Sequence, residues 1–386
     1  MLSTFIISVF FIVFAMLGYP LSLKLLDFIF KPAKIKKDYS LEPKVTLMIV
    51  AHNEEKVIED KLNNAISLNY PKEKYQIIVT SDLSNDRTNE IVEDFIKKHS
   101  DYNIILHKTI EHKGKTNAQN EGQKLANGEI LVMTDANSII EKNAIKELVS
   151  SFSNDDIAYV TGRLAYIKDI NNLTNKSENM YWNLDLTLRD IESRFYSVTA
   201  GNGALYACKN KDYIDLEPIR CHDGSMPYNY VLLGKRAIFN PDAIAYEKTG
   251  NNNEDEFKRK IRMSRLGLRI FRYFFAVLTC KKKIGLYKYF YFGHRFCRRT
   301  LWLAHIIAFI SCFIAMLQGK KWGKFFTVLQ AMLGIIAYIS LKFRIKNKLI
   351  RMIGYYAMTV FAQIVGIKND YTGKSKPTWE KAESTR

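Results

Sequence analysis

The middle of the chain alternates short apolar runs with amphipathic segments. Four short apolar runs predict buried β-strands, at 44–52, 75–82, 102–108 and 129–135. Three intervening segments have helix-like patterns, at 54–68, 88–99 and 115–126. This βαβαβαβ order predicts an α/β domain, with a parallel sheet that helices cover on both faces.

The amino-terminal end is apolar and is followed by positive charge. Residues 4–19 carry no charge, and lysines follow at positions 31, 34, 36 and 37. By the positive-inside rule, this pattern predicts a transmembrane segment over 1–30 that ends in the cytoplasm. A cleaved signal peptide is the alternative, but the stretch lacks a basic leader and a small-residue cleavage site.

The carboxyl-terminal third has three apolar stretches. Residues 301–317 and 325–341 predict a hairpin of two spans, although the lysines in the link lie on the wrong side for the positive-inside rule. Residues 352–367 are shorter and can span, re-enter or lie flat; we expect an interfacial location and a cytoplasmic tail. Residues 268–280 mix arginines with aromatic residues, a composition typical of a helix in the headgroup plane.

These segments divide the chain into three predicted parts: a membrane segment over 1–30, a cytoplasmic α/β domain over 31–267, and an interfacial helix with membrane segments and a basic tail over 268–386. The predicted location is the inner (plasma) membrane, with several spans.

The net charge of +18 indicates an anionic partner. Residues 257–300 contain many lysines and arginines but no aspartate or glutamate, and they lead directly into apolar segments. This position favours a lipid bilayer and argues against nucleic acid. The five cysteines have no CxxC spacing, so neither a zinc site nor a disulfide framework is indicated.

Polar residues follow each predicted strand. Ligands of parallel sheets lie beyond the carboxyl ends of the strands. The residues at this edge are His52, Asn53, Glu54, Asp82, His112, Lys113, Lys115, Asp135 and Asn137. We expect the histidines to be local hydrogen-bond partners. An Asp-x-Asn sequence is often only an Asx turn. Beside the other polar residues at this edge, however, its two side-chain oxygens favour a divalent cation. Neither GxGxxG nor a P-loop follows a strand, which disfavours dinucleotide enzymes and P-loop NTPases.

The predicted domain resembles a known family. The stretch "VTLMIVAHNEEKVIEDKLNNAISLNYPKEKYQIIVTSDLSNDRT" is similar to the opening of family 2 glycosyltransferases, which have the nucleotide-sugar-binding GT-A fold. The runs "HKGKTNAQNEG", "TDAN", "YWNLDLTLRDIES" and "GNGALYACK" resemble its membrane-bound polysaccharide branch. The resemblance covers roughly residues 44–265 and implies a GT-A domain between membrane helices.

The resemblance implies donor-side roles. Asp82 matches the carboxylate that contacts the uracil and ribose, and Glu54 also lies where the family holds the nucleotide. Asp135 matches the first aspartate of the DxD motif, which binds Mg²⁺ or Mn²⁺ at the donor diphosphate. Asn137 replaces the second aspartate and brings no negative charge. The predicted donor-binding residues are Ala51, Asn53, Glu54, Asp82, Lys113, Lys115 and Asp135; the predicted metal ligands are Asp135 and Asn137.

The resemblance also implies acceptor-side roles. Asp223 lies eleven residues before Gly234 and so matches the family's catalytic base, with His222 in place of a glutamate. The run "RKIRM" matches the Q/RxxRW motif of processive synthases except at Met263. The absence of this tryptophan favours transfer of one or a few sugars. The predicted acceptor and diphosphate residues are Gly201, Asn202, Gly203, Arg259 and Arg262.

The predicted function is inverting transfer of a sugar from a nucleotide-sugar, with a UDP-sugar preferred, to a lipid-linked or glycan acceptor. Alternatives are a processive polysaccharide synthase, a non-catalytic membrane scaffold and, more weakly, a nucleotidyltransferase. The prediction requires Asp135 and Asp223 to share one cleft, because a general base and a leaving-group site must act on the same sugar.

Overall fold

The computed structural model describes residues 1–167, 175–248, 253–343, 345 and 347–378, with side chains omitted over 175–183 and at 253. The side chains of Tyr181 and Trp182, in the "YWNLDLTLRDIES" motif, and the end of the basic tail therefore lie outside the described residues.

One sheet organises the central domain. Its strands are β1 Val45–Ala51, β2 Tyr75–Ser81, β3 Asn103–Lys108, β4 Ile130–Asp135, β5 Ile139–Ile140, β6 Ile157–Ile167, β7 Leu205–Lys209 and β8 Arg236–Lys248. Their order is β3-β2-β1-β4-β7-β6-β8-β5. The first four strands run parallel, as predicted.

Beyond β4, where the sequence interpretation assigned no strands, the sheet is no longer all parallel. Strand β7 runs antiparallel between β4 and β6, and β5 runs antiparallel to β8, so the whole sheet is mixed. The later strands take their places in the sheet through long-range pairing that the local sequence pattern does not specify.

The helices surround this sheet and form both ends of the chain. They are α1 Leu2–Val13, α2 Tyr19–Phe30, α3 Ile58–Ile66, α4 Thr88–Lys98, α5 Lys115–Gln123, α6 Ala144–Ser150, α7 Asn175–Phe195, α8 His222–Leu232, α9 Asn253–Met263, α10 Arg269–Leu278, α11 Tyr287–Phe290, α12 Leu301–Leu317, α13 Lys321–Lys342 and α14 Lys348–Tyr371. The turns Phe14–Gly18 and Tyr291–Cys297 are π-helical.

Two apolar layers cover the sheet, one on each face. Leu47 and Ile49 of β1 pack in one layer with residues of α3, α4 and α6. Met48, between them, packs in the other layer with Met226 and Tyr230 of α8. Successive side chains of a strand point to opposite faces of the sheet, so a fully apolar strand contributes side chains to both layers. The sheet edge that carries the strand-end residues is therefore held from both sides.

Among the described residues, three helical segments are long and apolar enough to cross a membrane: 2–30, α13 and α14. The segment Tyr287–Cys297 with α12 would be a fourth span, bent by 62°, if the pair is one span. The stretch 352–367 is the middle of the 24-residue α14, so the sequence pattern underestimated its length.

A helix also forms within the predicted interfacial stretch. Helix α10 buries Ile270 and Val277 against the protein, while Phe271, Phe275 and Leu278 remain exposed. These three residues recur at helical spacing, so α10 presents an apolar strip on its outer side.

Candidate active site

Asp82 follows β2 and is fully buried. Its carboxylate accepts hydrogen bonds from the backbone N–H of Gly114 at 2.9 Å and of Lys113 at 3.3 Å. Its own N–H donates to the carbonyl of Ala51, the last residue of β1, at 2.8 Å. These bonds fasten the loop before α5 to the ends of β1 and β2. The predicted donor residues after three strands therefore lie together.

Two histidines complete this end of the site. The rings of His52 and His112 stack with centroids 4.0 Å apart. His112 Nδ1 lies 2.8 Å from Asp82 Oδ2, and His52 Nδ1 lies 2.7 Å from the Asp82 carbonyl. Both are hydrogen-bond partners, as expected. The three side chains also offer ligand atoms within 4.8 Å of one another, a possible metal cluster that sequence spacing did not reveal.

The turn after β1 is tied to the turn after β2. Asn53 has a left-handed backbone (φ 54°), which asparagine tolerates better than most residues. Its side-chain oxygen accepts from the N–H of Asn85 at 2.7 Å, and its N–H donates to Ser84 Oγ at 3.0 Å. Glu54 is buried, and its N–H donates to Thr88 Oγ1 at 2.7 Å. The side chain of Asn53 therefore shapes the loop.

Asp135 ends β4 beside a lysine. The Lys115 ammonium, at the start of α5, pairs with Asp135 Oδ1 and donates to the carbonyl of Gly203 at 3.1 Å. Burial lowers the pKa of Lys115, but the charges of Asp135 and Asp223 outweigh this effect, so the pKa lies above its usual value. Lys115 therefore remains positively charged beside Asp135.

Gly203 lies where the two predicted acids meet. A Cβ atom added to Gly203 would lie 3.1 Å from Lys115 Nζ, 3.6 Å from Asp135 Oδ2 and 3.9 Å from Asp223 Cγ. Asp135 and Asp223 thus flank one glycine and share one cleft. The requirement set by the sequence interpretation is met, although 88 residues separate the two acids along the chain.

The other residues of the "GNG" run build the loop. The N–H of Gly201 donates to the carbonyl of Asp223 at 2.8 Å, and a Cβ at position 201 would collide with Tyr159 Oη. The Asn202 side chain is buried and accepts from the N–H groups of the two residues that follow Gly203. Within the run, only Gly203 is described at the cleft itself.

The two lysines and two arginines among the predicted site residues differ in where their side chains lie. Lys113 extends half-exposed to Glu111, at 2.8 Å, and Arg259 pairs with Glu256 on its own helix, at 2.6 Å. Arg262, in contrast, lies within electrostatic reach of Asp135. Partial removal from water and the neighbouring Arg265 lower the pKa of Arg262. Of these four residues, Lys115 contacts Asp135 directly, whereas Arg262 interacts with Asp135 only electrostatically.

His222 cannot replace the charge of a glutamate. It is buried, with Nδ1 2.7 Å from Gln119 Oε1 and Nε2 3.0 Å from the Tyr213 hydroxyl. Burial, with a smaller contribution from the charge of Lys115, lowers the pKa of His222 to about 3. The imidazole is therefore neutral near pH 7, and Asp223 is the residue of this pair that supplies a carboxylate.

One residue near Asp135 escaped the sequence interpretation. Lys61 of α3 is fully buried, and its ammonium donates to Thr134 Oγ1 at 2.9 Å and to the Ser138 carbonyl at 2.6 Å. Burial lowers the pKa of Lys61 to about 7, against the charges of Asp135 and Glu247. A signal was present: position 61 lies on the α3 face that carries the apolar residues of the core.

The residues after β4 fit a hard divalent cation. Asp135 supplies carboxylate oxygens, and Asn137, two residues later in the turn before β5, supplies an amide oxygen. Both residues are half-buried, which leaves room for ligands from a bound molecule. Oxygen donors of this kind suit Mg²⁺ and Mn²⁺.

Comparisons with known proteins show which family the chain resembles. Residues 46–215 match glycosyl transferase family 2. The probable glycosyltransferase YdaM of Bacillus subtilis (strain 168) is 37% identical over 140 residues, which are 36% of this chain and 33% of that protein. Poly-β-1,6-N-acetyl-D-glucosamine synthase of Staphylococcus aureus (strain COL) is 25% identical over 245 residues, 62% of this chain and 58% of that protein. The matches thus span about one third and somewhat over half of these two relatives' lengths.

A solved structure matches nearly the whole chain. The mannosyltransferase PcManGT from Pyrobaculum calidifontis, in complex with GDP-Man and Mn²⁺, superposes with a TM-score of 0.72 at 20% identity and covers 96% of this chain and 99% of that chain. At this identity the likeness speaks to the fold. The family resemblance and the fold class predicted from the sequence are confirmed: residues 46–215 form a domain of glycosyl transferase family 2, and the sheet and its helices have the GT-A fold.

Proposed function

We propose that this protein is a membrane-anchored, inverting glycosyltransferase that moves a sugar from a nucleotide-sugar, preferably a UDP-sugar, to a lipid-linked or glycan acceptor in cell-surface polysaccharide biosynthesis. The observation that carries the proposal is the cluster around Gly203, where Lys115, Asp135 and Asp223 meet. A leaving-group site and a general base must lie this close to act on one sugar.

The donor enters along the carboxyl edge of β1, β2 and β4. Asp82, fixed by the loop before α5, receives the nucleoside. Lys115 offers its ammonium to the diphosphate, exchanging a contact with Asp135 for one with phosphate. A divalent cation held by Asp135 and Asn137 would neutralise charge on the departing diphosphate. The Mn²⁺ and GDP-Man of the similar mannosyltransferase support this arrangement.

Asp223 acts on the acceptor. It takes the proton of the acceptor hydroxyl as the oxygen attacks the anomeric carbon, and the C–O bond to the diphosphate breaks on the opposite face. One displacement of this kind inverts the anomeric configuration. Because His222 is neutral, only Asp223 of these two residues supplies the negative charge that activates the hydroxyl.

The flanking helices hold the cleft at a bilayer. The spans 2–30, α13 and α14, together with the exposed apolar strip of α10, support an inner-membrane, multi-pass location with the GT-A domain in the cytoplasm. Exposed cations of the basic stretch 257–300, such as Arg272 and the lysines at 281–283, would face anionic headgroups, each nearby charge contributing about 1 kcal/mol. Arg295 and Arg298 instead bond inward, to the Gly224 carbonyl and to Asp185. A lipid-linked acceptor would then reach Asp223 from the membrane plane.

A processive polymer synthase is the second candidate. The similarity to a poly-β-1,6-N-acetyl-D-glucosamine synthase favours it. Met263 stands in place of the synthases' tryptophan and is 53% exposed on α9, which disfavours it. Product length from the purified chain separates the two: additions of one or a few sugars support the first candidate, and long polymers support the second.

The decisive experiment measures release of nucleoside diphosphate. The purified chain in lipid nanodiscs is offered a panel of nucleotide-sugars with Mn²⁺ and a lipid extract. Asp223→Asn should lower kcat by about 10²–10⁴-fold while donor affinity stays unchanged, because only the general base is lost. Asp215→Asn, at an exposed aspartate, is the matched control. Full turnover by Asp223→Asn would refute the assigned base.

A further inference from the structure

Helix α3 contributes a charged residue that the mechanism above does not use. The face of α3 toward the sheet carries Ile58, Leu62 and Ala65, all fully buried. Lys61 lies on the same face, also with no exposed surface. Removing an ammonium from water is unfavourable unless hydrogen bonds and opposite charges compensate, and methionine would fill a similar volume without that cost. Packing alone therefore does not account for a lysine here.

The contacts of Lys61 single out one turn. Its ammonium donates to Thr134 Oγ1 at 2.9 Å and to the carbonyl of Ser138 at 2.6 Å. Thr134 immediately precedes Asp135, and Ser138 immediately follows Asn137. One ammonium thus joins both ends of the three-residue turn that carries the candidate metal ligands.

A second contact extends this clamp. Asn64, one turn along α3, donates to the carbonyl of Ile140 at 2.9 Å and accepts from its N–H at 2.8 Å. The N–H of Ser138 closes the turn by donating to the carbonyl of Asp135 at 3.2 Å. Helix α3 therefore holds residues 134–140 at two points, and Lys61 is the point nearest the ligands.

The charge of Lys61 and its hydrogen bonds have opposite effects on a cation. In its protonated form Lys61 repels Mg²⁺ or Mn²⁺, whereas a fixed turn presents the oxygens of Asp135 and Asn137 without a loss of backbone freedom on binding. The second effect matters more than usual here, since Asn137 attracts the cation with a dipole and brings no charge.

We propose that Lys61 is a positioning residue that holds the Asp135–Asn137 turn in the geometry that binds a divalent cation with the donor diphosphate. The proposal rests on the proposed function, because it assigns the cation to that site. It makes α3 part of the metal site although no residue of α3 is a candidate ligand.

The test compares Lys61→Met with Lys56→Met, which removes an exposed lysine just before α3. Mn²⁺ binding is followed by electron paramagnetic resonance with UDP or GDP present, whichever the wild type binds, and nucleotide binding without metal by calorimetry. Lys61→Met should weaken Mn²⁺ binding by about tenfold or more, as loss of groups that orient metal ligands commonly does. Metal-free nucleotide binding should stay within about twofold, since Asp82 is untouched.

The outcomes separate this proposal from the proposed function. If the wild type binds neither nucleotide nor Mn²⁺, the proposed function fails. If it binds both and Lys61→Met binds Mn²⁺ equally well or more tightly, the positioning role alone is refuted, because charge repulsion would then be the larger effect. Should Lys61→Met not fold, Thr134→Val decides: it removes one acceptor and keeps the lysine, and unchanged Mn²⁺ affinity would likewise refute the role.

Discussion

Replacing His222 with glutamine tests the electrostatics beside Asp223. The imidazole is 1% exposed and lies between Gln119 Oε1 and the Tyr213 hydroxyl, neither of which carries a charge. Burial lowers its pKa from the usual 6.5 to about 3, and the charge of Lys115 adds to the effect. Glutamine keeps a hydrogen-bonding side chain at this position but does not titrate.

The sign of the effect follows from proton linkage. Between pH 6.5 and about pH 3, the histidine binds a proton in the unfolded chain but not in the folded one. The unfolded state therefore binds more protons, and the free energy of unfolding falls as the pH drops below 6.5. Each pH unit corresponds to about 1.4 kcal/mol, so acidification from pH 7 to pH 5 costs the wild type about 2 kcal/mol through this one group.

The assay is thermal unfolding of wild type and His222→Gln in the same detergent at pH 7 and pH 5. Both proteins lose stability through their other titrating groups, but the variant should lose about 2 kcal/mol less. Equal acid losses in wild type and His222→Gln would refute the description of a neutral, buried imidazole beside the base.

Three further predictions concern the cleft. Gly203→Ala should lower kcat by about 10–100-fold with a smaller effect on donor affinity, because the new methyl lies 3.1 Å from Lys115 Nζ, between the acids; unchanged kcat would contradict the position of Gly203. Asp82→Ala should weaken nucleotide binding by about tenfold with or without metal, measured by calorimetry, because the loop at Gly114 loses its anchor. Chelation with EDTA should stop release of nucleoside diphosphate and added Mn²⁺ should restore it, so full activity in EDTA would exclude the proposed metal dependence.

Local sequence pattern predicted which strand-end residues would lie together. Fully apolar strands are recognisable over a few residues, and parallel strands place their carboxyl ends on one edge. Asp82 and Asp135 follow two such strands, so their convergence required only the βαβ order. The mixed half of the sheet was not predictable in the same way, because antiparallel insertion of β7 depends on pairing partners far away in the chain.

The sequence alone determined the fold class, the apolar ends of the chain and the strand-end carboxylates, because each of these depends on neighbours within one element or on the rules of strand order. Only the tertiary structure decided that Asp223 faces Asp135 across Gly203 and that Lys115 points inward while Lys113 points to solvent. It likewise placed Lys61 under the turn after β4. These relations depend on where packing places a side chain, and residues with the same chemistry a few positions apart can face opposite directions.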